Sequence, residues 1–435
     1  MRRWAAVLAV IFGAWPAGTV GAAKVYLDIN APALRPIPAA VPELQRRSGG
    51  VGNAHRVIAE ALRWDLGLSG LFEILDPAAY LEDPQRAPVE PTPAGFADWF
   101  AVGAELVVKG WVDLRDGELV VELGAYDVLK RSRLLLRRYQ ALPEAARAVA
   151  HRFANVLVEE FTGAPGPFGT RIAYVVQSGR GKELALVDMD GHGPIRLTRA
   201  GSLSITPSWS RDGRYLYYVS YLLGEADLYL LDLRTGRNWV VSRRKGVDLG
   251  GRDSPDGSEL LVVLSERGNT DIYRLRKSDR SLVRLTRDRA IDVAPTWSPD
   301  GKWIAFVSDR MGNPHIFVMN RQGGDVRRLT FSGTHNGDPD WSPRGDWIAF
   351  TGKDARGTFQ VFLVDPEGQE VRQLTTGPYD TYDPSWSPDG RFLAVTSNRD
   401  GSEAVYVFRV GSHDFRRITP DGERASQPAW EPARP

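Results

Sequence analysis

Cysteine is absent from all 435 residues, which removes disulfides, thiol nucleophiles, zinc–thiolate sites and lipid carried on cysteine. An excess of one charge is missing as well. The 55 basic residues stand against 54 acidic ones, so nothing would hold a polyanion and no nucleic-acid partner is expected. Beyond the first 23 residues no stretch stays apolar for 18 residues, and the mature chain is not expected to span a membrane. Signatures of catalysis are lacking too. The sequence contains no Gly-x-Ser-x-Gly elbow, His-Glu-x-x-His pair, phosphate-binding glycine loop or dinucleotide fingerprint. The six histidines, at 55, 151, 192, 315, 335 and 413, are scattered without metal-ligand spacing, and His55 and His151 read as packing or surface residues of helices. No enzyme is expected.

What is present begins with an export signal. Arg2 and Arg3 precede the apolar run Trp4 to Trp15, Pro16 and Gly18 break it, and Val20-Gly21-Ala22-Ala23 offers cleavage after Ala22 or Ala23. The general secretory route, a periplasmic location and a monomeric mature protein are expected.

The rest is governed by a repeat. Pro-x-Trp-Ser-Pro-Asp-Gly stands whole at Pro295 to Gly301 and Pro384 to Gly390, with variants at Pro207 to Gly213 and Pro339 to Gly345. A degenerate copy has Asp253 in place of tryptophan, and a truncated one closes the chain around Trp430. The marker positions 209, 253, 297, 341, 386 and 430 are spaced 44, 44, 44, 45 and 44. Leu-Thr or a variant ends a second run at Thr198, Ser242, Thr286, Thr330, Thr375 and Thr419, with the same steps. Four short β segments fit each period: the Pro-x-Trp piece, Trp303 to Ser308, His315 to Met319 and Val326 to Thr330 in one copy. That is the size of a propeller blade, so the fold class is a six-bladed, four-stranded β-propeller behind a mixed α/β domain. The first unit begins at Arg171 without its Trp-Ser-Pro-Asp-Gly segment, and the last ends on one. The C-terminal strand is therefore expected to complete the first blade as its innermost strand.

The expected boundaries are 1–23 signal, 24–162 α/β domain, 163–170 Gly/Pro linker and 171–435 propeller. Within the α/β domain the pattern predicts a strand at Lys24 to Asn30, a Pro-rich stretch from Pro32 to Pro42 and a helix over Ala54 to Leu66. It then predicts a strand at Leu71 to Leu75, a helix over Phe96 to Val102, a hairpin turning at Asp116-Gly117 and a helix over Ala145 to Phe161.

The tryptophans and turn aspartates read as packing and turn chemistry. Just upstream of the tryptophans stand Asp248, Asp292, Asn336, Asp338, Tyr379, Asp380, Tyr382 and Asp383. Their loops are expected to open together around one mouth of the channel, as a docking surface or as solvated turns. Carboxylates in such a ring also have the chemistry to hold a hard cation such as calcium.

The signal, the α/β domain, the junction Phe168-Gly169-Thr170-Arg171-Ile172-Ala173-Tyr174-Val175-Val176 and the six units together resemble the TolB family of the Tol–Pal system. The resemblance implies a non-enzymatic envelope protein that maintains the outer membrane during cell division. It implies that the channel mouth receives the peptidoglycan-associated lipoprotein Pal. It also implies that the N-terminal segment Lys24, Val25, Tyr26, Leu27, Asp28 and onward to Pro38 meets the inner-membrane partner TolA. The loop Gly246 to Asp253 departs from the family pattern, so the face is carried over rather than each side chain. Two other readings are a propeller binding a sugar or small ligand in its channel, and a peptidase-like propeller lacking its hydrolase domain.

Overall fold

A computed structural model describes residues 35–244, 246–265 and 268–433. The expected signal peptide, the strand expected at Lys24 to Asn30 and the expected partner segment Lys24 to Asp28 lie outside the described residues.

The N-terminal sheet holds β1 (Ile37–Ala40), β2 (Gln45–Arg46), β3 (Phe72–Ile74), β4 (Leu106–Arg115), β5 (Glu118–Asp127) and β6 (Ser132–Ala141). Their order is β3-β1-β4-β5-β6, with β2 also on β4. Helices α1 (Ala54–Ser69) and α3 (Ala146–Thr162) pack together against one face, and α2 (Pro93–Ala101) lies elsewhere. Helix α1 buries Ile58, Ala61, Leu62 and Leu66 at helical spacing, and α3 buries Val149, Ala150, Phe153 and Leu157. Three strands depart from the sequence expectation, the first being the two-residue β2, for which no strand was expected. Strand β1 runs inside the Pro-rich stretch, between β3 and β4. Pro38 is tolerated there because pairing with β4 begins only at Ala39, and its carbonyl accepts the Glu105 N–H at 2.9 Å. Strand β6 was not expected at all, and its three arginines and three leucines lack a clean period-2 pattern.

Four of the six propeller blades repeat one set of turn contacts. Calling the strands of a blade a to d from the inside outward, a and b are joined by the Ser-Pro-Asp-Gly turn. In one copy the Ser298 hydroxyl donates to Asp300 Oδ1 at 2.6 Å and accepts the Trp303 N–H at 2.9 Å. Asp300 Oδ1 accepts the Lys302 N–H at 3.1 Å. Gly301 follows with φ +69, a left-handed conformation that glycine takes without strain. The Leu-Thr marker has a matching cause. The hydroxyls of Thr198, Thr286, Thr330, Thr375 and Thr419 accept N–H groups of strand c at 2.9 to 3.2 Å, closing the outer end of the blade.

The ring closes as the phase of the repeat requires. The C-terminal strand Ala425–Trp430 pairs antiparallel with Arg171–Ser178 as the innermost strand of the first blade. No covalent turn joins these two strands, and Glu431 replaces it. Its carboxylate accepts the Arg171 N–H at 2.9 Å and holds the Arg171 guanidinium at 2.9 Å, while its own N–H donates to the Arg171 carbonyl at 2.8 Å. The two backbone contacts are those that Ser298 makes with Trp303 in its own blade, and the ion pair to Arg171 is added.

The α/β domain packs against the first and sixth blades. Phe168 meets Phe392, the Arg391 guanidinium donates to Thr162 Oγ1 at 3.1 Å, and Arg416 donates to the Trp64 carbonyl at 2.9 Å while lying over its indole. At the centre, His151 stands between Asp65 of α1, at 2.7 Å, and Asp190 of the first blade, at 3.4 Å, and Arg147 also pairs with Asp190. All four polar groups are largely enclosed. His151 and His55 are both buried rather than surface residues.

Candidate functional site: the propeller channel and its open mouth

Every strand a carries a register break at the same place. Thr206, Gly250, Ala294, Asp338, Asp383 and Gln427 sit there, all with positive φ. In five of the six blades proline follows, and the break turns this residue toward the axis. Two residues further along comes a second ring: Ser208, Arg252, Thr296, Asp340, Ser385 and Ala429. At the first ring lies a cavity of about 240 Å³ lined from all six blades. The tryptophans sit one position beyond. Trp209, Trp297, Trp341, Trp386 and Trp430 are 5 to 8% exposed, wedged at the seams. The indole N–H groups of Trp209, Trp297 and Trp386 reach carbonyls of the neighbouring blades' inner strands. Their function is packing, as their position in the turn motif suggests.

Hydrogen bonds run from blade to blade through the first ring. The Asp383 N–H donates to Thr351 Oγ1 at 3.1 Å, and that hydroxyl bonds the Asp338 carboxylate. Thr396 Oγ1 and the Gln427 N–H donate to Asp383 Oδ2, each at 3.2 Å. The Gln427 side chain accepts the Thr206 N–H at 3.0 Å. Burial in the narrow lumen, followed by the facing charge of Asp338, pushes the Asp383 carboxyl up to about 8. At neutral pH the pair therefore retains a proton. Burial raises Asp340 as well, against the opposing charge of Arg252, whose guanidinium reaches across the lumen to within 3.9 Å. Among the described residues no three His, Asp or Glu side chains converge as a protein-built cation site requires. The calcium expectation thus finds two neighbouring lumen carboxylates, not a ring of them.

The eight residues singled out from the sequence separate into three groups. Asp248, Asp292 and Asn336 are 1, 0 and 3% exposed and do not present their side chains at the mouth. They begin strand a and tie it to adjacent loops. Asp292 takes Arg310 with both oxygens at 3.0 and 3.1 Å, Asp248 accepts the Arg244 N–H, and the Asn336 amide meets His315 and Thr330. Asp338 and Asp383 lie deeper than loops, in the lumen. Tyr379, Asp380 and Tyr382 remain at the mouth, partly exposed. Arg399 lies over the Tyr379 ring, Asp380 accepts the Phe359 N–H at 2.9 Å, and the Tyr382 hydroxyl donates to Glu403 at 2.5 Å.

The loops joining b to c and d to the next a all open at this end, opposite the tryptophans. Sequence reasoning overlooked their apolar members. Leu222, Ile291, Met311 and Phe331 are each more than half exposed, and the same end carries the aromatic group His335, Phe359 and Tyr382. A signal was available, because Leu203, Val247 and Ile291 hold the residue before strand a in three successive repeats. A surface that combines exposed apolar side chains, aromatics and a polar lumen is chemically a docking surface.

Residues 158–382 match the model of the TolB β-propeller domain, and residues 25–134 that of the TolB amino-terminal domain. The chain is 36% identical to the "Tol-Pal system protein TolB" of Desulfosudis oleivorans over 55% of each chain. It is 38% identical to the protein of that name from Anaeromyxobacter dehalogenans, over 61% of this chain and 60% of the relative. These matches thus span between half and two thirds of the relatives' length. The crystal structure of TolB from Acinetobacter baumannii superposes with a TM-score of 0.80 at 28% identity, covering 92% of this chain and 98% of that one. Among the described residues no helix is long and apolar enough to cross a membrane. With both family domains matched in order and a propeller of six four-stranded blades, the chain belongs to the TolB family.

Proposed function

We propose that this protein is a non-enzymatic, periplasmic component of a Tol–Pal envelope system, exported by residues 1–23, which docks a peptidoglycan-associated lipoprotein on the open mouth of its propeller. The observation that carries the reading is the mouth itself. Exposed Leu222, Ile291, Met311 and Phe331 and the partly exposed Tyr379 and Tyr382 share the end of the ring that the α/β domain leaves uncovered. The "Tol-Pal system protein" names of its relatives supply the partner class. Docking there, together with a TolA-like inner-membrane protein engaged through Lys24 to Asp28, would contribute to outer-membrane integrity during division.

The test is a pull-down of the mature chain against the envelope fraction of its own source. The expected result is recovery of a peptidoglycan-associated lipoprotein, reduced at least tenfold by Phe331→Glu with Ile291→Glu, on a protein that melts as the parent does. Asp338→Asn reports the contribution of the lumen separately. The lumen cavity favours one second reading, a small ligand in the channel. That reading is supported if no lipoprotein is recovered and a sugar or other small molecule raises the melting temperature.

A further inference from the structure

The region farthest from the expected function is the free edge of the α/β sheet. Strand β6 is ten residues long, Ser132–Ala141, and pairs on one side only, with β5. Nine of its residues pair with β5, and Leu134 is the extra residue of a bulge. Its other edge offers main-chain N–H and C=O groups to no strand among the described residues. The side chains are equally open, for of the ten only Leu135 is buried.

The composition of this edge is one-sided. From Leu129 to Leu142 there are five basic residues, Lys130, Arg131, Arg133, Arg137 and Arg138, and no acidic one, within a chain whose total charge is nearly balanced. Two of the five have a carboxylate nearby, Lys130 at Asp127 and Arg133 at Glu90. The Arg138 guanidinium lies over the Trp111 ring. Between the cations stand Leu129, Leu134, Leu136 and Leu142, 36 to 58% exposed.

We propose that β6 is a strand-addition site for an extended acidic segment of another protein. The open edge supplies main-chain hydrogen bonds, the arginines select the charge, and the leucines seat alternate apolar side chains. Charge decides between occupants. A second copy of the chain would bring five cations against five, which opposes edge-to-edge pairing of β6 with itself. A strand rich in Asp or Glu meets the opposite sign. An anionic lipid surface would use the same cations but leave the ladder positions unfilled.

A synthetic ten-residue peptide of alternating glutamate and valine is the probe, titrated by fluorescence anisotropy against the full mature chain. Amide exchange is followed in the same mixtures. The expected result is saturable binding that slows exchange over residues 132–141. Affinity should fall at least tenfold for a peptide N-methylated at alternate amides, and at least tenfold for Arg133→Glu with Arg137→Glu. Both side chains are exposed, and circular dichroism confirms that the variant is folded. Three results overturn the proposal: no saturable binding, equal affinity for the N-methylated peptide, or slowed exchange at 132–141 with phosphatidylglycerol vesicles but not with the peptide.

Discussion

Five of the six blades meet their neighbours through a tryptophan, whereas the third blade, at Asp253, meets its neighbour through charge. In the tryptophan seams a nearly buried indole fills the gap, and at Trp209, Trp297 and Trp386 it also donates to the neighbouring backbone, as Trp297 does to the Arg252 carbonyl at 3.2 Å. At the third blade the Asp253 carboxylate accepts the Arg211 N–H at 3.0 Å and Lys277 at 2.6 Å, and Lys277 also lies over the Tyr217 ring. The side chain still bonds the backbone of the preceding blade, but as acceptor rather than donor. The exchange reaches the lumen as well. Glycine at 251, with φ +132, replaces the proline of the other blades, and Arg252 replaces a small or acidic residue. A repeat thus conserves the mechanical contact at a seam and not the residue that makes it.

The sharpest way to break the comparison is to remove the seam without a covalent turn. Deleting residues 426–435 removes Trp430, Glu431 and most of the innermost strand of the first blade, and exposes the edge of Arg171–Ser178. The expected cost exceeds ~5 kcal/mol, enough to abolish cooperative melting. A parent-like melting curve for the truncated chain would refute the closure argument. Trp297→Ala should follow at about 3–5 kcal/mol, through the cavity it leaves between blades. Asp253→Asn removes the charge that Lys277 faces but keeps the shape, and about 1–3 kcal/mol is expected. Urea denaturation of the three variants ranks them. An Asp253→Asn loss as large as that of Trp297→Ala would show that charge alone holds the third seam.

The propeller was legible in the sequence because its two markers report local chemistry that each blade must repeat: a turn that needs serine, aspartate and glycine, and a threonine that caps strand c. Ring closure followed from phase alone. The lumen was harder to read. Asp338 and Asp383 lie in the sequence like loop residues, and only the register break of strand a turns them inward. Asp248 and Asp292 have the same residue type but are consumed by arginine and backbone partners that stand at no fixed offset. In the α/β domain, β1 was hidden by its prolines and β6 by its arginines, since both strands violate the composition that identifies strands.

The junction between the domains extends the contrast to a seam in which buried charges stand beside apolar contacts such as Phe168 on Phe392, and pH is the probe of those charges. Burial opposes charge on His151, but its bonds to Asp190 and Asp65 outweigh that and raise it to about 10. Burial raises Asp65 to about 6 despite the histidine, and Asp190 is held well below the ordinary carboxylate range by His151 and Arg147. A group whose folded value is raised binds its proton more tightly in the folded state. The contribution of His151 is therefore full below its unfolded value of about 6.5 and is lost as pH rises through about 10. Asp65 acts in the same direction lower down, favouring the folded state as pH falls from about 6 toward about 4. The opposite contribution of Asp190 is lost only in strong acid. Between pH 7 and 9 stability should then decline by about 1 kcal/mol per pH unit, and His151→Gln should flatten that slope. Asp383 in the lumen, raised to about 8, adds to the decline below that pH, so the slope between pH 8 and 9 is the one that isolates His151, and the Trp297→Ala variant should keep the parent slope there while losing stability uniformly. If His151→Gln leaves the slope unchanged, the pH response arises elsewhere and the junction is not held by its buried charges.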